Sequence, residues 1–334
     1  MMKKKIIAVP MGDAAGIGPE IVVKALCSGQ LVEQAKCVVI GVPGVFERAI
    51  KVTGVDLKLN VIQKIEEAVE GEGVLNLIPI AGETLENLKW GEINADCGRA
   101  AYKAIEMAVK LAMEDKVSAV ATTPINKESL RAAQIPFIGH TEIFGALTGV
   151  EDPLTLFETN GLRVFFLTRH VSLRAMLDMI KKERIIDYVK RCQDVLGKLG
   201  ITEGVMAVAG LNPHCGEHGL FGTEEMEEII PAIEELQKNG YQVEGPIGAD
   251  SVFHQAAIGK YNSVVSLYHD QGHIATKTLD FARTISITAG MPVLRTSVDH
   301  GTAFDIAGTG KADETSMVEA INLAVKYSEF YKEV

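Results

Sequence analysis

The sequence predicts an α/β fold in which helices cover both faces of a largely parallel sheet. Short apolar runs rich in β-branched residues alternate with longer amphipathic segments along the chain. The short runs are apolar throughout rather than alternating, which is typical of strands buried on both faces. Their separation by segments of helical length favours parallel pairing, because a parallel connection must cross over the sheet.

Seven segments have the length and composition of buried strands. The first begins after three lysines and is too short an apolar run for a signal peptide, so we interpret it as a strand. The predicted strands are 6–11, 37–42, 119–122, 164–167, 205–209, 263–267 and 285–288.

Three helices carry recognisable signals. A 3.6-residue period predicts a helix over 98–115. Thr223 is the predicted N-cap of a helix that Gly240 ends, with Met226, Ile229, Ile230, Ile233 and Leu236 on one face. Ser316 and Glu319 have the spacing of a capping box, which predicts a last helix running to the C-terminus.

Composition excludes several classes of protein. The 334 residues carry a net charge of −11, which disfavours nonspecific binding to nucleic acid or to an anionic membrane. The five cysteines include no CxxC pair, as expected for reduced thiols. No apolar run approaches the roughly 18 residues that a membrane-spanning helix needs. We therefore expect a soluble, cytoplasmic protein with neither nucleic-acid nor membrane partners.

A glycine-rich segment, 12–20, follows the first predicted strand. Gly16 and Gly18 permit a tight turn, and Pro19 suits the first position of a helix. The segment matches neither the Rossmann fingerprint nor the P-loop. It is either a phosphate-binding loop that uses backbone N–H groups or a structural turn, and the sequence leaves both interpretations open.

Three histidines each follow a predicted buried strand, and His140 stands at a predicted helix start. The three are His170, His214 and His269. A lone histidine is more often a surface or core residue, but the ends of parallel strands converge at one edge of a sheet. Neutral imidazoles suit zinc and other divalent metals. Nearby carboxylates are candidate ligands, supports of the ligands or bases: Glu142, Asp250 and Asp270.

The C-terminal third combines basic residues with a second glycine-rich stretch. Lys277, Arg283 and Arg295 precede the segments 297–303 and 308–313. Arginine binds phosphate and carboxylate groups through paired hydrogen bonds. Any single basic residue is more often a surface charge, so these residues gain meaning only in combination.

Taken together, the motifs resemble the 4-hydroxythreonine-4-phosphate dehydrogenase family, known as PdxA. The resemblance covers nearly the whole chain through GDAAGIGPEI, TTPINK, GHTE, LNPHCGEHGLFG, GADSVF, YHDQGH and SVDHGTAFDIAGTGKAD. It implies a fold similar to those of isocitrate and isopropylmalate dehydrogenases, with two α/β/α domains and the active site in a cleft between them. We place the first domain at 1–125 with 285–334 and the second at 126–284. The resemblance also implies a homodimer whose active site is shared.

The resemblance assigns roles to individual residues. A divalent metal (Zn, Mg or Co) is held across the dimer interface by His170, His214 and His269. Substrate is bound by His140, Thr141, Lys277, Ser286 and Arg295. Lys277 and Asp270 are the candidates for proton transfer. NAD or NADP is bound beside Gly301, Thr302, Gly308 and Asp313.

The implied reaction oxidises a small phosphorylated hydroxy acid and then removes CO2. Ser286 stands where the family commonly has Asn, and Ala14 where it commonly has Pro. The stretches around 273–277 and 287–290 look closer to the branch acting on D-threonate or D-erythronate 4-phosphate. If the segment after His269 is helical, His273 projects from the same face and reaches the substrate. We therefore favour a tetronate 4-phosphate as substrate.

Alternatives to this assignment remain open. One is 4-hydroxythreonine 4-phosphate, the substrate of the pyridoxal phosphate (vitamin B6) branch. Another is a metal-dependent phosphohydrolase or acyl-phosphate transferase, which would need no nicotinamide. A third is an inactive sensor that binds a metabolite. The choice between NAD and NADP and the identity of the metal also stay open.

Overall fold

The computed structural model describes residues 4–28, 31 and 35–331. The chain divides into two compact units, which we call unit 1 (Met1–Pro153 with Ile285–Val334) and unit 2 (Leu154–Thr284). No helix within the described ranges is both long enough and apolar enough to cross a membrane.

Strands and helices alternate along most of the chain. The strands are β1 (Lys5–Pro10), β2 (Ala35–Gly41), β3 (Lys58–Val61), β4 (Val74–Pro79), β5 (Ala119–Thr122), β6 (Leu154–Thr159), β7 (Leu162–Phe166), β8 (Met206–Ala209), β9 (Val243–Ile247), β10 (Ser263–Ser266), β11 (Ile285–Ala289) and β12 (Arg295–Val298). The helices are α1 (Gly18–Cys27), α2 (Pro43–Thr53), α3 (Ala95–Met113), α4 (Lys127–Ala132), α5 (His140–Thr148), α6 (Leu173–Met179), α7 (Lys182–Lys198), α8 (Ile230–Lys238), α9 (Ala249–Ala257), α10 (His269–Leu279) and α11 (Thr315–Ser328).

Unit 1 is built on a sheet with the strand order β3-β4-β2-β1-β5-β12-β11. Its neighbouring strands are parallel except for the last pair, β12 and β11. Apolar residues of β1, β2 and β5 are almost entirely buried, as expected for central strands covered by helices. Helix α3 packs on β1, β2 and β5, and α11 packs on β1, β5, β11 and β12.

Unit 2 is built on strands in the order β6-β7-β10-β8-β9. Only β6 and β7 are antiparallel; the other neighbours are parallel. The carboxyl ends of β7, β10 and β8 therefore meet at one edge, where parallel sheets place their ligands. His170, His269 and His214 follow those three ends, so the topology directs all three segments to this edge.

The seven predicted strands are confirmed to within about two residues at each end. The prediction missed β3, β4, β6, β9 and β12. Polar residues interrupt most of these strands although the structure buries them, as Asn76, Glu158 and Thr296 show. The sequence Gly245-Pro246 interrupts β9, which lies at an edge where such residues are tolerated. An apolar-run criterion cannot find strands of this kind.

The helix over 98–115 is confirmed as α3, which the side chain of Asn94 caps by accepting hydrogen bonds from two backbone N–H groups. The two capping predictions are wrong. No side-chain hydrogen bond from Thr223 caps the next helix, which starts with a π-helical turn, Glu225–Ile229, that leaves Met226 exposed. Ser316 lies inside the first turn of α11, where its hydroxyl contacts His300, and Asp313 accepts the N–H of Thr315 instead.

The first boundary between the units differs from the expected position at 125/126. Residues 126–153 belong to unit 1. The reason is that α4 and α5 both pack on α3. The second boundary lies between Thr284 and Ile285, at the expected place.

Candidate active site

The glycine-rich segment 12–20 forms the turn after β1 and the start of α1. The N–H groups of Asp13 and Ile17 donate to the carbonyls of Pro124 and Thr302, and the N–H of Gly16 donates to the carbonyl of Asp13. The N–H of Ala15 donates to the Asp13 carboxylate at 2.8 Å. Because these donors are satisfied within the protein, they are not available to a phosphate, and the structural interpretation is favoured.

Close packing explains the glycines of this turn. Gly12 has φ +71°, and a Cβ there would lie 2.3 Å from Oγ1 of Thr123. A Cβ on Gly16 would lie 2.8 Å from the side chain of Thr302. The turn thus fits against the segment that begins at Thr302, which contains residues expected to bind cofactor.

That second glycine-rich segment is held by α1. Both oxygens of the fully buried Glu20 carboxylate accept hydrogen bonds, from the N–H of Gly308 at 2.5 Å and of Gly310 at 2.8 Å. Gly308 packs on the ring of Trp90. Asp313 serves as a cap of α11, whereas a Cβ on Gly301 would meet open space. The segment is ordered by the protein itself, and its role in cofactor binding stays a prediction.

Arg295 is a buried cation that forms hydrogen bonds with hydroxyl groups and also interacts with the charge of Asp299. Its side chain is 4% exposed. Its Nε donates to Oγ1 of Thr122 at 3.0 Å and its Nη1 to Oγ1 of Thr288 at 2.7 Å, while the guanidinium lies 5.5 Å from the ring centroid of Phe144. Burial lowers the pKa of Arg295 to about 9. A buried guanidinium that bonds to hydroxyl groups is suited to bind an anionic ligand.

His140 lies in the same electrostatic environment. It begins α5, and its buried Nε2 has no hydrogen-bond partner. Burial, followed by the nearby charge of Arg295, holds the pKa of His140 well below its usual range. Ser286 shares a face of β11 with Thr288, because side chains two apart on a strand point the same way. Thr141 lies in the first turn of α5.

Glu142 has a local structural role. Its Oε2 accepts the N–H groups of Ile138 at 2.6 Å and Gly139 at 3.1 Å, which caps the start of α5. The sequence offered Glu142 as a metal ligand, a support or a base. Its carboxylate is instead engaged by the backbone that positions His140.

In unit 2, His170 and His269 line one cavity. Their ring centroids are 5.8 Å apart. The cavity has a volume of about 290 Å³ and is also lined by Tyr268 and Asp270. Nδ1 of His269 lies 2.7 Å from Oδ1 of Asp270, a contact that would orient the ring.

His214 sits apart on an unusual turn. Residues 214–218 all have positive φ, so His214 and His218 do not share a right-handed helical face. The imidazole of His214 is 75% exposed, and the carboxylate of Glu217 lies 4.0 Å away. Within the described part of the chain, no three His, Cys, Asp or Glu side chains form a cluster that could hold a metal.

Helix α10 carries a stripe of polar residues four apart. The ring centroid of His273 lies 4.2 Å from that of His269, which bears out the predicted shared face. His273 also packs against Phe157 and Phe166, at 4.4 and 4.6 Å between centroids, and its Nδ1 has no hydrogen-bond partner. Burial lowers the pKa of His273 to about 4, and the charge of His269 makes the second largest contribution. Lys277 continues the stripe, with its Nζ 5.2 Å from the ring centroid of Phe281.

The predicted residues therefore form two groups. Unit 1 brings together His140, Arg295 and the strand that carries Ser286, whereas unit 2 brings together His170, His269, Asp270 and the stripe that ends at Lys277. Sequence reasoning placed Thr122 in the TTPINK motif but did not connect it with Arg295, and it gave Thr288 no role. The available signal is that both are polar residues at the carboxyl ends of otherwise apolar strands.

Comparison with known proteins gives a consistent result. Residues 33–324 match the family model described as pyridoxal phosphate biosynthetic protein PdxA. A Fusobacterium nucleatum protein is 59% identical over 328 residues, and a Clostridium botulinum (strain Hall) protein is 58% identical over 329 residues. Each alignment covers 98% of both chains, and both relatives are provisionally named D-threonate 4-phosphate dehydrogenase.

Solved structures are similar over the same length. A 4-hydroxythreonine-4-phosphate dehydrogenase from Klebsiella pneumoniae is 42% identical, with a TM-score of 0.89 over 97% of this chain and 100% of that one. A terephthalate 1,2-cis-dihydrodiol dehydrogenase from Burkholderia xenovorans is 29% identical, with a TM-score of 0.66. These likenesses confirm the predicted α/β fold.

Proposed function

This chain belongs to the PdxA family of dehydrogenases, and on that premise we propose that it oxidises and decarboxylates D-threonate 4-phosphate or D-erythronate 4-phosphate with NAD or NADP. The observation that carries the choice of substrate is the position of His273. Its neutral ring lies against His269 and keeps an unpartnered Nδ1. A neutral imidazole exchanges hydrogen bonds with a 2-hydroxyl but offers no charge to a 2-ammonium group.

Arg295 supplies recognition of an anionic group of the substrate. Its charge is buried, and its hydrogen bonds to Thr122 and Thr288 fix the guanidinium without neutralising it. The neutral His140 beside it adds a hydrogen-bonding nitrogen, Nε2, that the protein leaves without a partner. Both groups suit a carboxylate or phosphate oxygen, and a tetronate 4-phosphate carries one of each.

The imidazoles of His170 and His269 in unit 2 have the donor chemistry of a divalent-metal site. Two imidazoles line one cavity, and the carboxylate beside His269 supports its ring. Histidine nitrogens are suitable ligands for zinc and cobalt. We propose that His170, His214 and His269 hold the ion. When bound, a divalent metal supplies Lewis-acid stabilisation of negative charge on the substrate oxygens.

The chain's own residues then handle substrate and proton. In the oxidation, a base of the chain would take the 3-hydroxyl proton, and a bound nicotinamide would supply the acceptor for the C3 hydride. The resulting 3-keto acid loses CO2, and protonation of the enolate yields dihydroxyacetone phosphate. On α10, Lys277 is the last residue of the polar stripe and Asp270 follows its first residue, His269. We propose that Lys277 and Asp270 bind the substrate and move these protons. The glycine-rich segment that Glu20 orders is the proposed nicotinamide side.

We propose that the active unit is a homodimer with shared sites. The described part of one chain forms no cluster of three metal-ligating side chains. Apolar side chains beside the His170 cavity are exposed, including Val171 (43%) and Leu173 (64%). Exposed apolar groups at the rim of a site favour burial against a second protein surface.

A second candidate substrate is 4-hydroxythreonine 4-phosphate. It is favoured by the name of the Klebsiella pneumoniae structure, which shares 42% of its sequence with this chain. The two substrates differ chiefly in the group at C2, an amine in one and a hydroxyl in the other.

The test is kcat/KM for D-threonate, D-erythronate and 4-hydroxythreonine 4-phosphates, followed at 340 nm with each nicotinamide and a divalent metal. We expect a tetronate phosphate to be preferred. Discrimination through a hydrogen-bonded substrate group reaches about 10⁴-fold. A clear preference for 4-hydroxythreonine 4-phosphate contradicts the choice. Release of inorganic phosphate without a change at 340 nm would indicate a hydrolase instead.

A further inference from the structure

The turn Pro213–Gly219, which carries His214, has a backbone conformation that is unfavourable by itself. His214, Cys215, Glu217 and His218 have φ between +42° and +56°. A run of left-handed residues with side chains is unfavourable because each Cβ crowds the following carbonyl. Such a run persists only where surrounding groups hold it, and it is commonly associated with function.

A buried carboxylate holds the residues just before this turn. Oε1 of Glu225 accepts the N–H groups of Leu211 at 2.8 Å and Asn212 at 2.7 Å, and its Oε2 accepts the Asn212 side-chain amide at 2.8 Å. Glu225 is fully buried and lies on the π-helical turn Glu225–Ile229. The turn also packs on it, since a Cβ on Gly216 would lie 2.9 Å from Oε2.

A buried amide joins the same segment to the start of α10. Oε1 of Gln271 accepts the N–H of Leu267 at 2.7 Å, and its Nε2 donates to the carbonyl of Gly210 at 2.8 Å. Gly210 and Leu267 are the first residues beyond β8 and β10, which pair in parallel. These two hydrogen bonds of Gln271 form a bridge. Gly210 at one end precedes His214 in the chain, and Leu267 at the other end precedes His269.

We propose that Glu225 and Gln271 are positioning residues that fix the segments carrying His214 and His269 within each chain. This rests on the proposed metal site. Glu225 fixes the residues that precede the left-handed turn, and Gln271 connects those residues to the segment that carries His269. In a symmetric dimer, both chains carry the same bridge, so it governs both contributions to each shared site.

The test replaces Gln271 with Met, which has a similar length but makes neither hydrogen bond. The wild-type protein and the variant are purified, stripped of metal and titrated with Zn²⁺ or Co²⁺ in competition with a chromophoric chelator. Groups that orient metal ligands typically change metal affinity 10–100-fold, so we expect Gln271→Met to bind each ion about 10–100-fold more weakly. The absorption spectrum of bound Co²⁺ should also change, which reports altered ligand geometry.

Gln255→Met is the matched control. Gln255 is a half-buried amide of unit 2 whose Nε2 donates to Ser251 and whose Oε1 accepts from Lys260. We expect this variant to keep the wild-type metal affinity and Co²⁺ spectrum. Glu225→Gln is the second test variant, because it keeps the shape of the side chain while weakening its grip on Asn212, and we expect it to bind metal more weakly as well.

Folding of each variant is checked by circular dichroism and thermal unfolding. If Gln271→Met does not fold, the affinity of Glu225→Gln decides the matter. Folded variants with wild-type affinity and spectrum overturn the positioning roles alone. A wild-type protein that binds neither ion overturns the proposed metal site and these roles with it.

Discussion

At the scale of single residues, burial decides which charged groups matter. Many lysines and glutamates of this chain form exposed ion pairs, which contribute little to stability. Arg295 and His140 differ because both are withdrawn from water and have lowered pKa values. Nε2 of His140 has no hydrogen-bond partner and Arg295 carries a buried charge, and these two features support our proposal that substrate binds here in unit 1.

The first prediction concerns Arg295. Arg295→Lys loses the planar guanidinium that bonds to Thr122 and Thr288, so it should raise KM for the phosphorylated substrate. Loss of one charge-assisted hydrogen bond costs about 1.5–3 kcal/mol, roughly a 10–100-fold drop in kcat/KM. Arg48→Lys is the control, since Arg48 is also partly buried and packs on Trp90. Equal kcat/KM in wild type and Arg295→Lys would remove Arg295 from the site.

The second prediction concerns His140 and pH. Burial holds the pKa of His140 in the folded protein well below its ordinary value of 6.5, so the unfolded chain binds more protons as the pH falls through this range. The stability contributed by the neutral ring is therefore present above about pH 6.5 and is lost as the pH falls towards the folded-state pKa. Urea unfolding at about pH 7 and about pH 5.5 should show a smaller loss of stability on acidification in His140→Asn than in wild type. An identical loss in both proteins would contradict this account.

The third prediction concerns the histidines proposed as ligands. His170→Ala, His214→Ala and His269→Ala should each lose bound metal and turnover while keeping the fold, because an imidazole ligand is removed outright. The loss of affinity should exceed the roughly 10–100-fold expected for a residue that only supports a ligand. Elemental analysis of the three proteins measures this. Full metal occupancy in all three would refute the assignment.

At the scale of elements, close backbone packing determines the shape of the connections around the sheet of unit 1. The turn after β1 needs Gly12 for its positive φ and for its approach to Thr123. Neither requirement is visible in the composition of the loop, which reads equally well as a phosphate-binding segment. The hydrogen bonds to Pro124 and Thr302 favour the structural turn.

The fourth prediction follows from that packing. Gly12→Ala places a Cβ 2.3 Å from Oγ1 of Thr123 at φ +71°, so it should destabilise the protein by about 1–3 kcal/mol or more. Gly44→Ala is the control, because Gly44 lies in α2 and a Cβ there meets nothing within 4 Å. Alanine in a helix should leave stability unchanged or raise it by about 0.5–1 kcal/mol. Equal stabilities for the two variants, measured by urea unfolding, would disprove the argument.

At the scale of the whole molecule, our proposal is a dimer in which a second copy of the chain completes each metal site. The fifth prediction is that light scattering shows a dimer and that inactive His214→Ala and His269→Ala subunits recover activity when mixed. If each site takes these two ligands from different chains, a mixed dimer has one intact site. With random exchange, about half of the dimers are mixed, so about a quarter of wild-type activity should return. A fully active monomer would rule out shared ligation.

The sequence alone determined the fold class, most strand positions and the family. These properties are encoded locally, in apolar runs, helical periods and motifs such as YHDQGH, whose order along the chain is preserved. It also predicted His140 and Arg295 as site residues, and the structure brings these two into one electrostatic environment.

Only the tertiary structure decided which polar groups are already satisfied. The sequence cannot show that the donors of the turn after β1 are used internally, that α4 and α5 belong to unit 1, or that Glu225 and Gln271 bridge separate segments. Buried strands with polar residues, such as β12, escaped prediction for the same reason. Each of these features depends on contacts between residues far apart in the chain, and local patterns of hydrophobicity carry no information about them.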